Sequence, residues 1–336
     1  MKIFVTGGAG YIGSHAVLEL LRAGQEVCSY DNYCNSSPEA LRRVRRLANA
    51  DLSEIQGDVR DRAQLLQAME GFLPNAVIHF AGLKAVGKSA KKPLSYYDTN
   101  VVGTLRLLEA MDGVGCQRII FSSSATVYGD PQYLPFDEDH PLAPVNTYGR
   151  TKLVAEQAIA DWCKASGRGS AVLLRYFNPV GAHASGEIGE DPNGVPDNLM
   201  PFIAQVAVAK RSCLQVFGND YDTRDGTGER DYVHVVDLAR AHVAALDFAN
   251  SHAGCEAFNI GTGTACSVLD MARGFEEACG RNIPVEFVAR REGDVACSYA
   301  DASKAHRALG WRAKRDLKDM CATTWAWQSR NPEGYR

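Results

Sequence analysis

A glycine-rich turn near the start of the chain constrains the fold more than any other feature. Residues 1–6 are mostly apolar or β-branched, and they lead directly into GGAGYIG at 7–13 and a helical stretch through residue 21. A strand, a glycine turn and a helix in this order are typical of a dinucleotide-binding unit. Bare backbone lets a pyrophosphate approach, and the free N–H groups of the helix N-terminus face the anion. The run therefore predicts a phosphate-binding turn.

An acidic residue follows where such a fold places its ribose ligand. A second apolar strand over residues 26–30 ends in Asp31, and an acid about 20 residues past the glycines binds the ribose in dinucleotide folds. Its carboxylate accepts hydrogen bonds from a 2′-hydroxyl and repels a 2′-phosphate. The sequence therefore predicts NAD rather than NADP as the cofactor.

The rest of the first half alternates strands with helices. Strand patterns at 52–56, 76–80, 118–121 and 171–176 alternate with helical patterns at 62–69, 96–111 and 148–165. This alternation predicts an α/β protein with a doubly wound parallel (Rossmann) sheet covered on both faces. The carboxyl ends of its strands line one crevice, in which such folds bind their ligands.

The pattern changes after residue 178. Two stretches, 179–198 and 218–228, are rich in Gly, Pro, Asn and Asp, and loops this long usually bind a ligand. Residues 231–248 return to helical periodicity and 257–260 to a strand pattern. We therefore expect an NAD-binding domain over 1–178, to which 231–260 returns, and a smaller interleaved substrate domain formed by 179–230 and 261–336.

Composition and charge argue against several other classes of protein. The chain has 336 residues, of which 46% are hydrophobic and 23% charged, as is ordinary for a globular protein. Its net charge of −4 argues against nucleic-acid binding, and the arginines at 42, 43, 45 and 46 are interpreted as a solvated helix face. Without a long apolar run we expect no membrane span or signal peptide and a cytoplasmic location. The ten cysteines lack metal-ligand spacing, so we expect reduced thiols and no metal site.

Tyr148 and Lys152 lie four residues apart in a predicted helix, which places a phenol beside an ammonium. A free tyrosine has a pKa near ~10, so its use as a base at neutral pH requires lowering that pKa by ~3 units, or roughly 4 kcal/mol. A neighbouring cation favours the phenolate. The spacing also occurs by chance on many helices, but beside a dinucleotide fold it predicts a base at the crevice.

Longer runs of residues resemble the extended short-chain dehydrogenase/reductase family over essentially the full chain. They are VTGGAGYIGSH at 5–15, HFAGLKAV at 79–86, FSSSATVYG at 121–129, LRYFNPVGA at 174–182, FGNDY at 217–221 and ADASK at 300–304. Within the family, the chain looks like the nucleotide-sugar 4-epimerases. That resemblance implies the interconversion of UDP-glucose and UDP-galactose through a transient 4-keto sugar and tightly held NAD. It also implies a homodimer paired through the helices at 96–111 and 148–165.

The resemblance further implies roles for individual residues. Tyr148 removes the proton of the sugar 4′-hydroxyl, Ser124 hydrogen-bonds that oxygen, and Lys152 binds the nicotinamide ribose and lowers the pKa of Tyr148. His79 and His183 are interpreted as structural, since this chemistry needs neither. The cofactor contacts implied, besides those three catalytic residues, are Gly7, Gly10, Tyr11, Ile12, Gly13, Asp31, Asn32, Asn35, Ser36, Asp58, Val59, Phe80, Ala81, Gly82, Lys84, Thr99, Asn100 and Phe177. The nucleotide-sugar contacts implied, besides Ser124 and Tyr148, are Lys84, Asn178, Asn198, Leu199, Gln215, Val216, Phe217, Arg230, Tyr232, Arg291, Asp294 and Ser298.

Ser298 suggests a wider sugar pocket. Some relatives resemble one another in carrying a bulky tyrosine at this position, three residues before Asp301, and a small residue there goes with acceptance of a 2-acetamido group. We therefore expect UDP-GlcNAc and UDP-GalNAc to be interconverted as well. The alternative is that Cys297 or Tyr299 fills the space.

Two other functions stay open. A nucleotide-sugar 4,6-dehydratase on the same fold would need an acid and a base beside the active-site serine, where this chain has Ala125 and Thr126 after Ser124. A non-catalytic dinucleotide sensor could dispense with Tyr148 and Lys152, although both are present, and fold alone does not guarantee activity.

Overall fold

A computed structural model describes residues 1–194, 196–291 and 293–335. Its strands are β1 (Lys2–Thr6), β2 (Glu26–Asp31), β3 (Ser53–Gln56), β4 (Ala76–His79), β5 (Arg118–Ser124), β6 (Ser170–Tyr176), β7 (Asn178–Val180), β8 (Leu214–Phe217), β9 (Glu229–His234), β10 (Gly254–Ile260), β11 (Ala265–Ser267), β12 (Val285–Val288) and β13 (Cys297–Ser298). Its helices are α1 (Tyr11–Arg22), α2 (Pro38–Ala48), α3 (Arg62–Phe72), α4 (Val86–Lys91), α5 (Pro93–Tyr96), α6 (Gly103–Gly113), α7 (Thr147–Ser166), α8 (Leu199–Ala207), α9 (Val235–Ser251), α10 (Val268–Cys279), α11 (Ser303–Leu309) and α12 (Leu317–Arg330). A π-helical turn, Tyr97–Val102, joins α5 to α6. Among these helices, none has both the length and the apolar character that a membrane span requires.

Seven strands form one parallel sheet in the order β10-β6-β5-β4-β1-β2-β3. The chain moves outward from β1 through β2 to β3 and then crosses to β4 on the other side of β1. The strand order therefore reverses between β1 and β4, and doubly wound sheets bind their ligands at such a reversal. The predicted fold class is confirmed.

Helices cover both faces of this sheet, because its strands contribute side chains to two hydrophobic cores. Ile3 and Val5 of β1 lie in one core with residues of α1, α2 and α9, whereas Phe4 lies in the other with residues of α3, α6 and α7. Successive side chains of a strand point to opposite faces, so a strand covered on both sides is apolar throughout. This explains why β4 and β6 are buried along their whole length.

The remaining strands form two small sheets around a third core. β9 lies between β11 and β13 and also pairs with β7, while β8 pairs with β12. Helices α8, α10 and α12 pack there through Met200, Ile203, Met271, Phe275 and Met320. Since β7 begins two residues after β6 ends, the small sheets start from the carboxyl edge of the large one. The chain then returns to the large sheet with β10, which pairs with β6.

The expectation of a helical pattern over 231–248 is wrong at its start. Residues up to His234 belong to strand β9, and the helix begins at Val235. β9 pairs with three strands from other parts of the chain, and the buried carboxylate of Asp231 accepts backbone N–H groups from two further loops. Such long-range pairing overrides the periodicity of a single segment.

Candidate active site

The glycine turn lies between β1 and α1, and steric contacts require glycine there. Gly7 has φ +71°, and a Cβ on it would lie 2.6 Å from the backbone nitrogen of Ala81. A Cβ on Gly13 would lie 2.2 Å from the carbonyl oxygen of Gly7. Gly10 is the N-cap of α1 and places no side chain over its free N–H groups. The turn is a cradle of bare backbone at a helix N-terminus, and this fits a dinucleotide pyrophosphate.

Asp31, the last residue of β2, is buried and points back toward the turn. Its carboxylate accepts hydrogen bonds from the N–H of Ala9 (3.0 Å), the N–H of Tyr33 (2.9 Å) and the hydroxyl of Ser36 (2.9 Å). These contacts hold one negative charge beside the glycine cradle. A charge in that place suits a ribose with a free 2′-hydroxyl group.

Asp58 lies beside Asn32 and beside Arg60, a residue that the sequence did not single out. The amide of Asn32 donates to the Asp58 carboxylate (2.9 Å), and the backbone and guanidinium N–H groups of Arg60 bind the same carboxylate. Arg60 holds the pKa of Asp58 well below its usual range. The guanidinium of Arg60 also donates to the carboxylate of Asp98 (2.8 Å) in the π-helical turn. Proximity to Asp58 along the chain was the only available signal for Arg60.

The other predicted cofactor residues of the first half follow strands at the same edge. They are Tyr11 and Ile12 at the start of α1, Asn35 between β2 and α2, Val59 after β3, and Phe80, Ala81, Gly82 and Lys84 after β4. The side chain of Val59 packs into a hydrophobic core, so only its backbone faces the crevice.

Asn100 lies with Thr99 in the π-helical turn, and its side chain is engaged by the protein itself. The amide accepts the N–H of Leu83 (2.7 Å) and donates to the Leu83 carbonyl (3.0 Å) and to the hydroxyl of Thr151 (3.0 Å). It therefore fixes the loop after β4 against α7. The expected cofactor contacts of Asn100 and Thr99 stay predictions.

His79, at the end of β4, has a structural role. Its Nδ1 lies 2.6 Å from the hydroxyl of Thr6 and its Nε2 lies 3.0 Å from the hydroxyl of Thr104. The Thr104 hydroxyl donates to the Asn100 carbonyl (2.6 Å), so it accepts Nε2–H and leaves Nδ1 to accept from Thr6. Burial lowers the pKa of His79 to about 3, and the ring stays neutral.

Ser124, Tyr148 and Lys152 meet at the carboxyl end of β5. Ser124 is the last residue of that strand, and Tyr148 and Lys152 lie one turn apart in the first two turns of α7. Ser124 lies near the Tyr148 phenol and acts to lower the pKa of that phenol. The buried ammonium of Lys152 donates to the carbonyl of Ser122 (2.6 Å) and lies 4.7 Å from the centre of the Phe121 ring.

The pKa of Tyr148 is raised rather than lowered by the protein's own residues. Burial raises the pKa of Tyr148 to about 12, against the opposing effect of Ser124. Burial also lowers the pKa of Lys152 to about 8. The Lys152 ammonium is bonded to the Ser122 carbonyl, and its expected lowering of the Tyr148 pKa stays a prediction.

A buried polar network behind Lys152 was not expected from the sequence. Glu156, one turn further along α7, forms a bidentate ion pair with Arg175 of β6 (3.1 and 2.8 Å), and both side chains are buried. Arg175 also donates to the hydroxyl of Tyr128 (3.1 Å), which donates to the side-chain oxygen of Asn259 (2.6 Å). The only sequence signal was a glutamate four residues after the lysine. Its partner is known only once the sheet has formed.

Several predicted nucleotide-sugar residues lie side by side on the four-stranded sheet. Asn178 of β7 pairs in register with Tyr232 of β9, and Ser298 of β13 pairs with Arg230 of β9. The Arg230 guanidinium lies 3.8 Å from the carboxylate of Asp294. The structure therefore brings together residues that are up to 120 positions apart in the chain.

The other predicted sugar residues lie on β8, at the start of α8 and beside Arg291. The Arg291 guanidinium lies 3.7 Å from the centre of the Phe217 ring. The side chains of Val216 and Tyr232 are buried in the third core, and their expected contacts with the nucleotide sugar stay predictions. Gln215 precedes Val216 in β8, Asn198 is the N-cap of α8, Leu199 is its first residue, and Phe177 is buried between β6 and β7.

Comparison with known proteins agrees with this geometry. A family model described as GDP-mannose 4,6 dehydratase matches residues 4–324. The UDP-glucose 4-epimerases of Mus musculus and Bacillus subtilis are each 54% identical to the chain, over 99% and 100% of it and 98% and 99% of their own lengths. The crystal structure of UDP-glucose 4-epimerase from Bifidobacterium longum in complex with NAD⁺ and UDP matches with a TM-score of 0.96 and 50% identity, covering 99% of this chain and 100% of that one.

The doubly wound sheet, the glycine cradle and the Ser-Tyr-Lys set define an extended short-chain dehydrogenase/reductase. Within that class, the chain belongs to the UDP-glucose 4-epimerase family. The resemblance seen in the sequence is confirmed. The dehydratase named by the family model is not favoured by the site, because Ala125 has no acid or base and the Thr126 hydroxyl donates to Ser124 (2.9 Å).

Proposed function

We propose that this protein interconverts UDP-glucose and UDP-galactose by inversion at C4, with tightly held NAD as its cofactor. The observation that carries the proposal is the position of Tyr148 and Lys152 beside the glycine cradle. A Cβ on Gly82 would lie 3.8 Å from Lys152 Nζ, and the neighbouring Ala81 packs against Gly7 of the cradle. A base beside a dinucleotide-binding turn is what oxidation of a sugar hydroxyl by a nicotinamide cofactor requires.

Each residue of the site has its own role in the reaction. When bound, oxidised NAD supplies a hydride acceptor for C4 and a positive charge that favours the phenolate form of Tyr148. Tyr148 takes the proton of the 4′-hydroxyl as the 4-keto sugar forms and returns it at the end. Ser124 hydrogen-bonds the same oxygen, and Lys152 holds the nicotinamide ribose. Because the keto sugar can rotate before it is reduced, its configuration inverts with no net redox change.

The two parts of the chain bind different ligands. Residues 1–178 and 231–260 hold the cofactor, and residues 179–230 and 261–336 hold the UDP-sugar. Arg230 and Arg291 suit the diphosphate, since each guanidinium can bind it through paired N–H donors. Ser298 pairs with Arg230, and Asn178 pairs with Tyr232 two residues further along β9, where the hexose would follow the diphosphate.

Proton NMR of the purified protein with UDP-galactose and no added NAD tests the proposal. We expect the anomeric signals to move toward the equilibrium mixture of UDP-galactose and UDP-glucose. A dehydratase would instead produce the methyl signal of a 6-deoxy-4-keto sugar. A sensor would leave the spectrum unchanged. If, with NAD added, the spectrum showed the dehydratase product or no change at all, the proposal would be overturned.

We further propose that Ser298 leaves room for a 2-acetamido group, so that UDP-GlcNAc and UDP-GalNAc are also interconverted. Ser298→Tyr is expected to lower the ratio of UDP-GalNAc turnover to UDP-galactose turnover by about tenfold or more. The reason is that the tyrosine ring would fill the space that the serine leaves open beside Arg230. The ratio of kcat/KM values for the two substrates measures the effect. Ser298→Ala is the control and should keep the ratio, whereas an unchanged ratio in Ser298→Tyr would show that other side chains limit the pocket.

The protein is proposed to be a cytoplasmic homodimer. The cytoplasmic location is supported by ten cysteines that are all free thiols. The dimer is supported by exposed apolar side chains in both segments of the expected interface, Tyr97 and Leu105 within 96–111 and Val154 within 148–165. Leu105→Glu is expected to halve the mass measured by light scattering, because it places a charge in an apolar interface. Leu73→Glu, at the C-cap of α3 where the side chain is 61% exposed against 41% for Leu105, should leave the mass unchanged, and a monomeric wild type would contradict the proposal.

A further inference from the structure

Glu190 connects the two ligand-binding parts of the chain. It lies in the loop between β7 and α8, and one oxygen of its carboxylate accepts from Lys84 Nζ (3.0 Å) and from the side-chain amide of Asn198 (2.8 Å). Lys84 belongs to the loop after β4 of the large sheet, whereas Asn198 is the N-cap of α8 in the third core. The Glu190 side chain is 11% exposed and the Lys84 side chain 43%, so water is largely excluded from the carboxylate and reaches the ammonium. A single carboxylate therefore bridges the cofactor side and the sugar side.

Tyr11 connects the same loop to the glycine cradle. Its hydroxyl donates to the carbonyl of Gly181 (2.5 Å), at the start of the loop that carries Glu190. Burial raises the pKa of Tyr11, and the nearby negative charge of Glu190 raises it further. The Tyr11 phenol thus stays protonated as a donor, and the loop is held against α1 as well as against β4.

The C-terminal tail, residues 327–335, holds the backbone on both sides of Glu190 in place. The indole N–H of Trp327 in α12 donates to the Glu190 carbonyl (3.1 Å). The hydroxyl of Tyr335 accepts the N–H of Gly189 (3.1 Å) and donates to the carbonyl of Gly189 (3.2 Å). The backbone N–H of Tyr335 donates to Asp191 (2.9 Å). Three consecutive loop residues are thus tied to the tail.

Arginines of α2 fix the tail in turn. Arg43 donates to the side-chain oxygen of Asn331 (2.7 Å) and to the carbonyl of Glu187 (3.1 Å), and it lies 5.2 Å from the centre of the Tyr335 ring. Arg46 pairs with the carboxylate of Glu187 (2.7 Å). The interpretation of this arginine cluster as a solvated helix face is therefore wrong for Arg43, whose side chain is 13% exposed, whereas Arg46, at 63%, fits it. Arg43 and Arg46 attach α2 to the loop that carries Glu190, and Arg43 also attaches it to the C-terminal tail.

We propose that Glu190 is a positioning residue that holds Lys84 and Asn198 together across the crevice so that the keto sugar stays inside while it rotates. The proposal rests on the function proposed above. Trp327 and Tyr335 hold the Glu190 backbone in place. A merely structural loop anchor would be satisfied by a neutral side chain, whereas the pairing with Lys84 requires the negative charge.

Glu190→Gln tests this role, because it keeps the shape of the side chain and removes its charge. The variant, still holding its NAD, is incubated with UDP-galactose, and the protein is then removed by filtration. The 4-keto sugar in the filtrate is trapped as its oxime and quantified by mass spectrometry. Each keto sugar that escapes has left its hydride on one cofactor molecule, so it inactivates one site. We expect keto sugar released per epimerisation event to rise about tenfold, which corresponds to ~1.4 kcal/mol. Hydrogen exchange of the amides at 187–191 should rise in the same variant without any ligand.

Glu187→Gln is the matched control, since it removes a charge three residues away that pairs only with Arg46 among the described contacts. It should leave the release ratio as in the wild type. Tyr335→Phe removes one hydroxyl from the support of Gly189 and should raise the ratio by a smaller factor, and it serves as the test if Glu190→Gln does not fold. If the wild type epimerises UDP-galactose and the tested variant has the wild-type release ratio, the positioning role is overturned. A wild type that does not epimerise would instead refute the proposed function.

Discussion

Tyr148→Phe is expected to lower kcat for UDP-galactose by about 10²–10⁴-fold, the usual contribution of a positioned general base. The phenylalanine ring fills the same space, but no group then takes the proton of the 4′-hydroxyl. Of the three catalytic residues, Tyr148 is assigned this proton, because Ser124 accepts from Thr126 and Lys152 donates to the Ser122 carbonyl. Affinity for UDP should change by less than about threefold, since the phenol is assigned to the sugar and not to the nucleotide.

Initial rates by NMR, together with calorimetric titration of UDP, measure the two effects separately. Tyr96→Phe is the matched control: it removes a buried hydroxyl that donates to the Ala85 carbonyl (2.7 Å) on a neighbouring helix. Its kcat should stay within a few-fold of the wild type. A Tyr148→Phe variant as active as this control would mean that another group moves the proton.

Arg175→Met is expected to destabilise the folded protein by about 3–5 kcal/mol, the usual cost of removing one partner of a buried ion pair. The Glu156 carboxylate would remain buried with only the Ser123 hydroxyl as a side-chain partner in the described network. The Tyr128 hydroxyl would lose its donor as well. Because α7 carries both Glu156 and Lys152, a disturbed pair also moves the helix that presents the catalytic residues.

Guanidinium denaturation of the protein without substrate measures the loss as a shift in the midpoint of unfolding. The double variant Glu156→Leu with Arg175→Met removes both charges and should recover most of the stability, since replacing a buried pair by apolar side chains is often neutral. If the single variant lost no more than about 1 kcal/mol, the pair would be behaving like an exposed one.

The cofactor side of the site was accessible from the sequence because its groups lie close together along the chain. The glycine run needs only a strand before it and a helix after it, and the helix spacing of Tyr148 and Lys152 is local. Asp31 follows from the length of one helix and one strand. The assignment of individual ligand contacts stays a prediction, and the structure shows that the side chains of Val216 and Tyr232 pack into a core.

What the sequence could not indicate are properties of pairs of distant residues. Strand β9 has a helical pattern in isolation, yet it pairs with β7, β11 and β13. The pKa of Tyr148 depends on burial, and burial depends on every element packed around α7. The sequence spacing places Tyr148 and Lys152 one turn apart on α7, but it could not indicate that the Lys152 ammonium is bonded to a carbonyl of β5.

The sequence by itself determined the fold class and the dinucleotide turn, because each depends on periodicity or on neighbours within a turn or two, whereas the catalytic roles of Ser124, Tyr148 and Lys152 were implied by the family resemblance. Only the tertiary structure decided that Glu156 meets Arg175 and that Glu190 joins Lys84 to Asn198. Lys84 and Glu190 are 106 residues apart, and their contact follows from how the sheets and the C-terminal tail pack. Chain spacing carries no information about such a distance, since the sheet order and the loop paths set it together.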